Sequence, residues 1–173
     1  MKRQPQPGGT PPCESPTVDA SAGDSAKRIL VVDDDPSVRQ MLARVLVGEG
    51  YTVQVAANGV EAVEMAAASR FDLVLLDLNM PVKNGWDTFE RLTSQNPLLS
   101  VIVITAMPNQ LFTALGSGVG ALLEKPLDFP KLVQTVSNLI AEPAALRLAR
   151  MVGRPAEFHY LPQHHAGQPD SAP

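Results

Sequence analysis

The feature that most constrains the fold is the apolar segment Phe71–Leu76, which ends abruptly at Asp77. Such a segment suits a strand that is covered on both faces of a parallel sheet. A buried helix of the same short length has a similar composition, so the segment alone leaves both alternatives open. Pro81 and the pair Asn84-Gly85 follow as turn signals. Taken alone, Asp77 is better explained as the start of a turn than as a binding group.

Four further segments have the composition of strands, and helical patterns separate them. The predicted strands are Lys27–Val32, Tyr51–Val55, Ser100–Thr105 and Ala121–Glu124, in addition to Phe71–Leu76. Helices are predicted after Asp35-Pro36, over Val60–Ala68, over about Gly85–Ser94, over Pro108–Ser117 and from Asp128 to Glu142-Pro143. Five strands that alternate with five helices predict an α/β fold with a doubly wound, five-stranded parallel sheet and helices on both faces.

The composition along the chain predicts one domain between two tails. Residues 1–26 are rich in Pro, Gly and Ser and poor in large apolar residues, so we expect a disordered tail. Residues 27–141 carry the strand and helix patterns of one domain. Residues 142–173 are again rich in proline. Only 142–151 could form a short helix there, and a frayed end of the last domain helix explains that pattern better.

Charge and cysteine usage exclude several classes of protein. The net charge is −4, and no basic stripe indicates direct binding to DNA or RNA. The single cysteine, Cys13, cannot form an intramolecular disulfide and has no partners for zinc. His159, His164 and His165 lie in a Pro-rich segment that we expect to be disordered, and the lack of acidic or cysteine partners nearby disfavours a metal site there. The absence of a signal peptide and of a long apolar segment predicts a soluble, cytoplasmic protein without membrane contact.

Polar residues stand at the C-terminal ends of four predicted strands. These residues are Asp33, Asp34, Asp77, Thr105 and Lys125. Because the C-terminal ends of parallel strands share one edge of the sheet, we expect these side chains to converge. Three neighbouring carboxylates repel one another unless a cation neutralises them. Oxygen ligands favour a hard ion, so the sequence predicts a site for Mg²⁺, or for Mn²⁺ as a substitute.

The same set of residues suits phosphoryl transfer. A carboxylate can attack a phosphoryl group and form an acyl phosphate, while a metal and a lysine neutralise the phosphoryl oxygens. A threonine hydroxyl can donate a hydrogen bond to another of these oxygens. Each residue could separately be a turn former or a surface charge, but a coincidence at four strand ends is the less probable explanation.

Four segments together resemble the receiver domain of two-component response regulators, over about residues 28–141. They are ILVVDDDP at 29–36, DLVLLDLNMPVKNG at 72–85, VITA at 103–106 and EKP at 124–126. The resemblance implies the flavodoxin-like, CheY-like strand order 2-1-3-4-5. It also implies that Asp77 accepts a phosphoryl group from a histidine kinase or a histidine phosphotransfer protein.

The resemblance further implies a role for each of the other site residues. The implied ligands of Mg²⁺ are Asp33, Asp34, Asp77 and the backbone carbonyl of Asn79. Thr105 matches the switch hydroxyl of the family, and Lys125 matches its lysine, with a cis peptide often found before the following proline. The chain departs from the family at Leu122, where receivers often have an aromatic residue that rotates on activation. A different packing change would then have to carry the signal.

Three interpretations of the chain are compatible with these residues. The first is a signalling module, not an enzyme that acts on a separate metabolite, which assists its own phosphorylation and dephosphorylation. If the chain is complete, it is a stand-alone receiver that signals through contact with an unidentified downstream protein. The second is a scaffold that works without phosphorylation. The third is an aspartyl-phosphate hydrolase of the haloacid dehalogenase type, which expects an Asp-x-Asp pattern after the first strand. It fits poorly because Asp33-Asp34-Asp35-Pro36 lacks the residue expected to follow that pattern, and because the nucleophile would lie on the wrong strand.

Overall fold

A computed structural model describes residues 26–80, 85–107, 109–152 and 158–162. Its strands are β1 (Arg28–Val32), β2 (Thr52–Ala56), β3 (Leu73–Asp77), β4 (Ser100–Thr105), β5 (Ala121–Glu124) and β6 (His159–Leu161). Its helices are α1 (Pro36–Gly48), α2 (Gly59–Ala68), α3 (Gly85–Gln95), α4 (Leu111–Ser117), α5 (Phe129–Ala141) and α6 (Ala144–Met151). Some residues that the sequence analysis singles out lie outside the described residues: Cys13, Pro81, Asn84, His164 and His165.

The strands form one parallel sheet in the order β2-β1-β3-β4-β5-β6. The predicted α/β fold and the order 2-1-3-4-5 are therefore confirmed. The sixth strand, at the β5 edge, was not predicted.

Helices cover the sheet on both faces and create two apolar clusters. The first cluster lies between the sheet and α2, α3 and α4, and it includes Val74 and Leu76 of β3. The second cluster lies between the sheet and α1 and α5, and it includes Leu73 and Leu75. Alternate residues of β3 thus enter opposite clusters, which explains why its sequence is apolar throughout rather than alternating.

Aspartate and asparagine side chains fix the starts of three helices. Asp35 accepts hydrogen bonds from the backbone N–H of Ser37 at 2.7 Å and of Val38 at 3.4 Å. Asn58 caps α2 in the same way, and Asp128 caps α5 by accepting from Lys131. The predicted caps at Asp35 and Asp128 are confirmed.

The segment after α5 contains one further helix and one further strand. Pro143 separates α5 from α6, so α6 is a separate helix rather than a frayed extension. His159 lies in β6, not in a disordered segment. A strand of three residues has too little periodicity to be recognised in a sequence, and its pairing with β5 determines its conformation. No helix in the described part of the chain is both long enough and apolar enough to span a membrane.

Candidate functional site

The polar residues at the strand ends converge at one edge of the sheet. Asp33 follows β1, Asp77 ends β3, Thr105 ends β4 and Lys125 follows β5. The strand register places Asp77 beside Ile104 and Thr105 beside Glu124. The topology therefore brings together residues that are up to 92 positions apart in the chain.

Asp33, Asp34 and Asp77 form a compact carboxylate cluster. Each offers one carboxylate oxygen, and the three oxygens lie within 4.8 Å of one another. Asp33 and Asp77 are almost fully buried, at 1% and 2% exposure, while Asp34 is exposed. The cluster thus consists of two carboxylates in the protein interior and one at the mouth of the site.

Lys125 links the two buried carboxylates. Its Nζ atom lies 3.0 Å from Oδ2 of Asp33 and 2.9 Å from Oδ2 of Asp77. Burial would lower the pKa of Lys125, but the hydrogen bonds to Asp77 and Asp33 outweigh it, so the pKa is raised. The ammonium group therefore stays charged in the free protein and partly neutralises the cluster.

Backbone N–H groups orient the other oxygen of each buried carboxylate. Asp35 donates its N–H to Oδ1 of Asp33 at 2.9 Å, and Asn79 donates to Oδ1 of Asp77 at 3.0 Å. In both residues Oδ1 accepts from the backbone and Oδ2 accepts from Lys125. Burial nevertheless raises the pKa of Asp33, because these bonds and Lys125 only partly offset the loss of solvation.

Thr105 is fully buried and contacts Asn79 rather than the carboxylates. Its hydroxyl donates to Oδ1 of Asn79 at 3.2 Å and accepts from the backbone N–H of Met107 at 2.9 Å. Oδ1 of the Asn79 amide is therefore already engaged in a hydrogen bond with Thr105. The Lys125-Pro126 peptide is cis.

The donor set of this site fits a hard divalent cation. All three clustered groups are carboxylates, and Mg²⁺ in proteins takes one or two carboxylates and keeps several waters. Lys125 supplies one positive charge against three negative ones, so the cluster retains a net negative charge that a cation can neutralise.

Three neighbours of the site were not recognised in the sequence. The guanidinium group of Arg39 donates to the backbone carbonyl of Asp33. Trp86 donates its indole N–H to Oε1 of Gln110 at 3.1 Å, which joins the start of α3 to the residue before α4. Gly85 lies directly against the end of β3. The first two depend on tertiary contacts, while the sequence indicates Gly85 only as part of a turn and as the start of a helix.

The comparisons with known proteins agree on one family. The family model of the response regulator receiver domain matches residues 29–137. The chain is 42% identical over 115 residues to the transcriptional regulatory protein ZraR of Klebsiella oxytoca, covering 65% of this chain and 26% of ZraR. It is 39% identical to the response regulator MprA of Mycobacterium ulcerans, covering 65% of this chain and 50% of MprA. The chain thus spans half or less of the length of these relatives.

Solved structures show the same similarity. A CheY-like receiver domain protein of Methanospirillum hungatei has 28% identity and a TM-score of 0.64, covering 67% of this chain and 94% of that one. The response regulator TrrA of Thermotoga maritima, solved in complex with Mg²⁺ and BeF, has 32% identity and a TM-score of 0.61, covering 65% and 98%. The chain therefore belongs to the family of response regulator receiver domains, which are signalling domains of two-component systems.

Proposed function

We propose that this chain is a cytoplasmic receiver that accepts a phosphoryl group on Asp77 from a histidine kinase or a histidine phosphotransfer protein. The observation that carries the proposal is the position of Asp77, whose Oδ2 lies 2.9 Å from Lys125 and within the carboxylate cluster. A buried carboxylate beside a lysine and further acidic groups matches what phosphoryl transfer to aspartate requires.

In the proposed reaction, a carboxylate oxygen of Asp77 attacks phosphorus. The new O–P bond gives an acyl phosphate, and the P–N bond of the phosphohistidine donor breaks, so that the imidazole nitrogen keeps the electron pair. The N–H of Asn79 holds Oδ1 and thereby fixes the orientation of the carboxylate plane. Lys125 moves its hydrogen bond from Asp77 to a phosphoryl oxygen and keeps its compensating charge in the site.

Asp33, Asp34, Asp77 and the backbone carbonyl of Asn79 are the proposed ligands of Mg²⁺. When bound, Mg²⁺ supplies the positive charge that offsets the carboxylates and the phosphoryl oxygens. Thr105 would donate its hydroxyl to a phosphoryl oxygen. To do so it must release Oδ1 of Asn79, and their bond of 3.2 Å is long for an O–H donor. On phosphorylation, Oδ1 of Asn79 must therefore find a new hydrogen-bond donor.

The chain would act on itself rather than on a separate metabolite. It would assist its own phosphorylation and dephosphorylation and would then contact an unidentified downstream protein. The net charge of −4 disfavours direct binding to DNA.

The test is a phosphate-affinity gel after incubation with acetyl phosphate, with and without Mg²⁺. Wild type, Asp77→Asn and Asp87→Asn are compared, because Asp87 is an exposed carboxylate in the first turn of α3 outside the cluster. We expect a Mg²⁺-dependent retarded band in wild type and Asp87→Asn and none in Asp77→Asn. The Asp77→Asn protein must unfold as cooperatively as wild type for this result to count.

The other outcomes separate the alternatives. If folded wild type shows no band with acetyl phosphate or with a phosphorylated histidine kinase, the proposal fails and a scaffold is the better explanation. A retarded band that persists in Asp77→Asn would place the phosphoryl group on another residue. Continuous release of phosphate from added phosphomonoesters would support a hydrolase instead.

A further inference from the structure

The β5 edge of the sheet carries a short segment of the same chain. Residues 121–123 of β5 pair in parallel register with residues 159–161 of β6. The backbone N–H of His159 donates to the carbonyl of Gly120 at 3.4 Å, just before β5. A sheet edge presents unpaired N–H and C=O groups, which extended segments of other chains can use. β6 therefore lies where an added peptide strand would lie.

The side chains of this segment contact both faces of the sheet. Phe158 packs against the first cluster, and Leu161 packs against the second. Tyr160 pairs with Leu122 and donates its hydroxyl to Oε1 of Glu124 at 2.8 Å. In this segment the edge thus accommodates an aromatic residue, a second aromatic residue two positions later, and an aliphatic residue directly after it.

Among the described strands of the sheet, β6 alone contains no buried residue. All six residues of β4 are buried, whereas none of the three residues of β6 is, and Tyr160 is 38% exposed. A short, partly exposed edge strand opens at a lower free-energy cost than a buried one. We therefore expect β6 to leave the edge more readily than the buried strands leave the sheet.

We propose that the edge of β5 is a binding site for an extended peptide segment of a partner protein, and that residues 158–162 are an internal ligand that competes for it. The partner segment has aromatic residues at the positions of Phe158 and Tyr160 and an aliphatic residue at that of Leu161. A hydroxyl or N–H donor at the second aromatic position meets the carboxylate of Glu124. This proposal does not depend on phosphorylation of Asp77.

The few residues that connect α6 to β6 act as a tether. The length of this tether determines how strongly residues 158–162 compete with a free peptide for the edge. A short tether gives an internal ligand an effective concentration on the order of millimolar. A free peptide of the same sequence that binds with a dissociation constant of about 0.1 mM would then bind the intact chain about tenfold more weakly than a chain whose β6 has left the edge.

The experiment is an NMR titration of the isotope-labelled full chain with a peptide that carries residues 158–162 between Gly-Ser flanks. His159→Pro removes the N–H that bonds to Gly120, while His159→Ala keeps it. We expect shifts at residues 121–124, with about tenfold tighter binding to His159→Pro than to wild type or His159→Ala. A peptide with Ser at all three apolar positions should produce no shifts.

Unchanged amide signals of β1 to β4 show that His159→Pro keeps the domain fold. If it does not, the double variant Phe158→Ser/Leu161→Ser frees the edge by removing both apolar contacts. The proposal is overturned if neither variant binds the peptide, or if both bind it no more tightly than wild type. It is also overturned if wild type is a dimer that His159→Pro converts to a monomer, because β6 would then be exchanged between two copies.

Discussion

The Nζ atom of Lys125 lies 2.9 Å from Oδ2 of Asp77, although β4 separates their strands in the sheet. The long side chain of Lys125 passes the end of β4 and also reaches Asp33 at 3.0 Å. Two carboxylates that are at most 3% exposed in their side chains thus share one ammonium group. In the absence of a divalent cation, Lys125 is the group that compensates the charge of both buried carboxylates.

Replacing Lys125 should therefore destabilise the metal-free protein. Lys125→Met leaves two buried carboxylates without their cation, and we expect a loss of about 2–3 kcal/mol in the free energy of unfolding. This loss is smaller than for a fully buried pair because the Lys125 side chain is 25% exposed. Urea denaturation in EDTA measures it, and Mg²⁺ should restore part of the loss.

The matched control is Lys27→Met. Lys27 pairs with Asp72 at 3.2 Å, but both side chains are exposed, so its loss should cost less than about 1 kcal/mol. Equal losses in the two variants would contradict the assignment of Lys125 as the compensating charge.

Gly85 should not tolerate a side chain. A Cβ atom at this position would lie 2.6 Å from Cα of Leu78 and 2.8 Å from the carbonyl oxygen of Asp77. Gly85→Ala therefore pushes α3 away from the end of β3, at a cost of about 1–3 kcal/mol. Thermal unfolding measures the cost, and labelling by acetyl phosphate should slow because the backbone next to Asp77 shifts.

Gly48→Ala is the control for this substitution. Nothing lies within 4 Å of the Cβ that it adds. Alanine is favoured over glycine by about 0.5–1 kcal/mol in the middle of a helix, and Gly48 is the last residue of α1, so the gain should be at most this large. The melting temperature of Gly48→Ala should therefore equal or exceed that of wild type. A Gly85→Ala protein that is as stable as wild type would contradict the close approach of α3 to β3.

The strand ends explain why much of the site could be predicted from the sequence. Buried parallel strands leave a strong apolar signal, and topology alone brings Asp33, Asp77 and Lys125 to one edge. The hydrogen bond between Thr105 and Asn79 could not be predicted, because it depends on side-chain conformation at the end of β4. The close contact of Gly85 with Asp77 and Leu78 was missed because a glycine after an asparagine already explains a turn.

The C-terminal elements were missed for a different reason. The residues of β6 have no period that distinguishes them from an irregular tail, and their conformation depends on pairing with β5. Likewise α6 is held by charged side chains, which a hydrophobic pattern does not reveal. Arg150 makes two bonds to the carboxylate of Glu142, at 2.6 and 2.7 Å, and both side chains are 8% exposed.

The bond between Arg150 and Glu142 should hold α6 in place. Arg150→Lys keeps the charge but cannot form the planar double hydrogen bond, so α6 should open more often. We expect hydrogen exchange at residues 144–151 to accelerate by at least about tenfold, while β1 to β4 stay protected. Arg91→Lys, at an exposed position of α3, is the control and should change neither. Unchanged exchange in Arg150→Lys would show that apolar contacts hold α6.

Tyr160 should ionise at a higher pH than an ordinary tyrosine. Its hydrogen bond to Glu124 raises the pKa of the phenol, because ionisation would place two negative charges together. Since the folded-state pKa is raised, the stabilisation is complete below the ordinary value of about 10 and is lost as the pH rises through the folded-state value. We therefore expect β6 to release from β5 at high pH.

Ultraviolet titration of Tyr51→Phe follows Tyr160 alone, since the chain has two tyrosines. Adding Glu124→Gln should lower the measured pKa of Tyr160. If Glu124→Gln leaves that pKa unchanged, the hydrogen bond in the structure does not govern the ionisation.

The adjacent aspartates Asp34 and Asp35 should differ in their effect on Mg²⁺ binding. Asp34 belongs to the carboxylate cluster, whereas the carboxylate of Asp35 caps α1 through Ser37 and Val38. The single tryptophan, Trp86, shares a crevice with Asn79 and Met107 beside the site, so its fluorescence can report a Mg²⁺ titration. We expect Asp34→Asn to weaken Mg²⁺ binding by at least about tenfold, because it removes a charged ligand.

Asp35→Asn is the matched control, because asparagine also caps helices well and the substitution removes the same charge one residue away. Its Mg²⁺ affinity should change by less than about threefold, the part that long-range charge alone contributes at physiological ionic strength. If both substitutions weaken binding equally, the net charge of the segment attracts the ion and Asp34 has no special place in the site. A larger effect of Asp34→Asn alone would support direct coordination, since the two substitutions remove the same charge from adjacent residues and only Asp34 belongs to the carboxylate cluster.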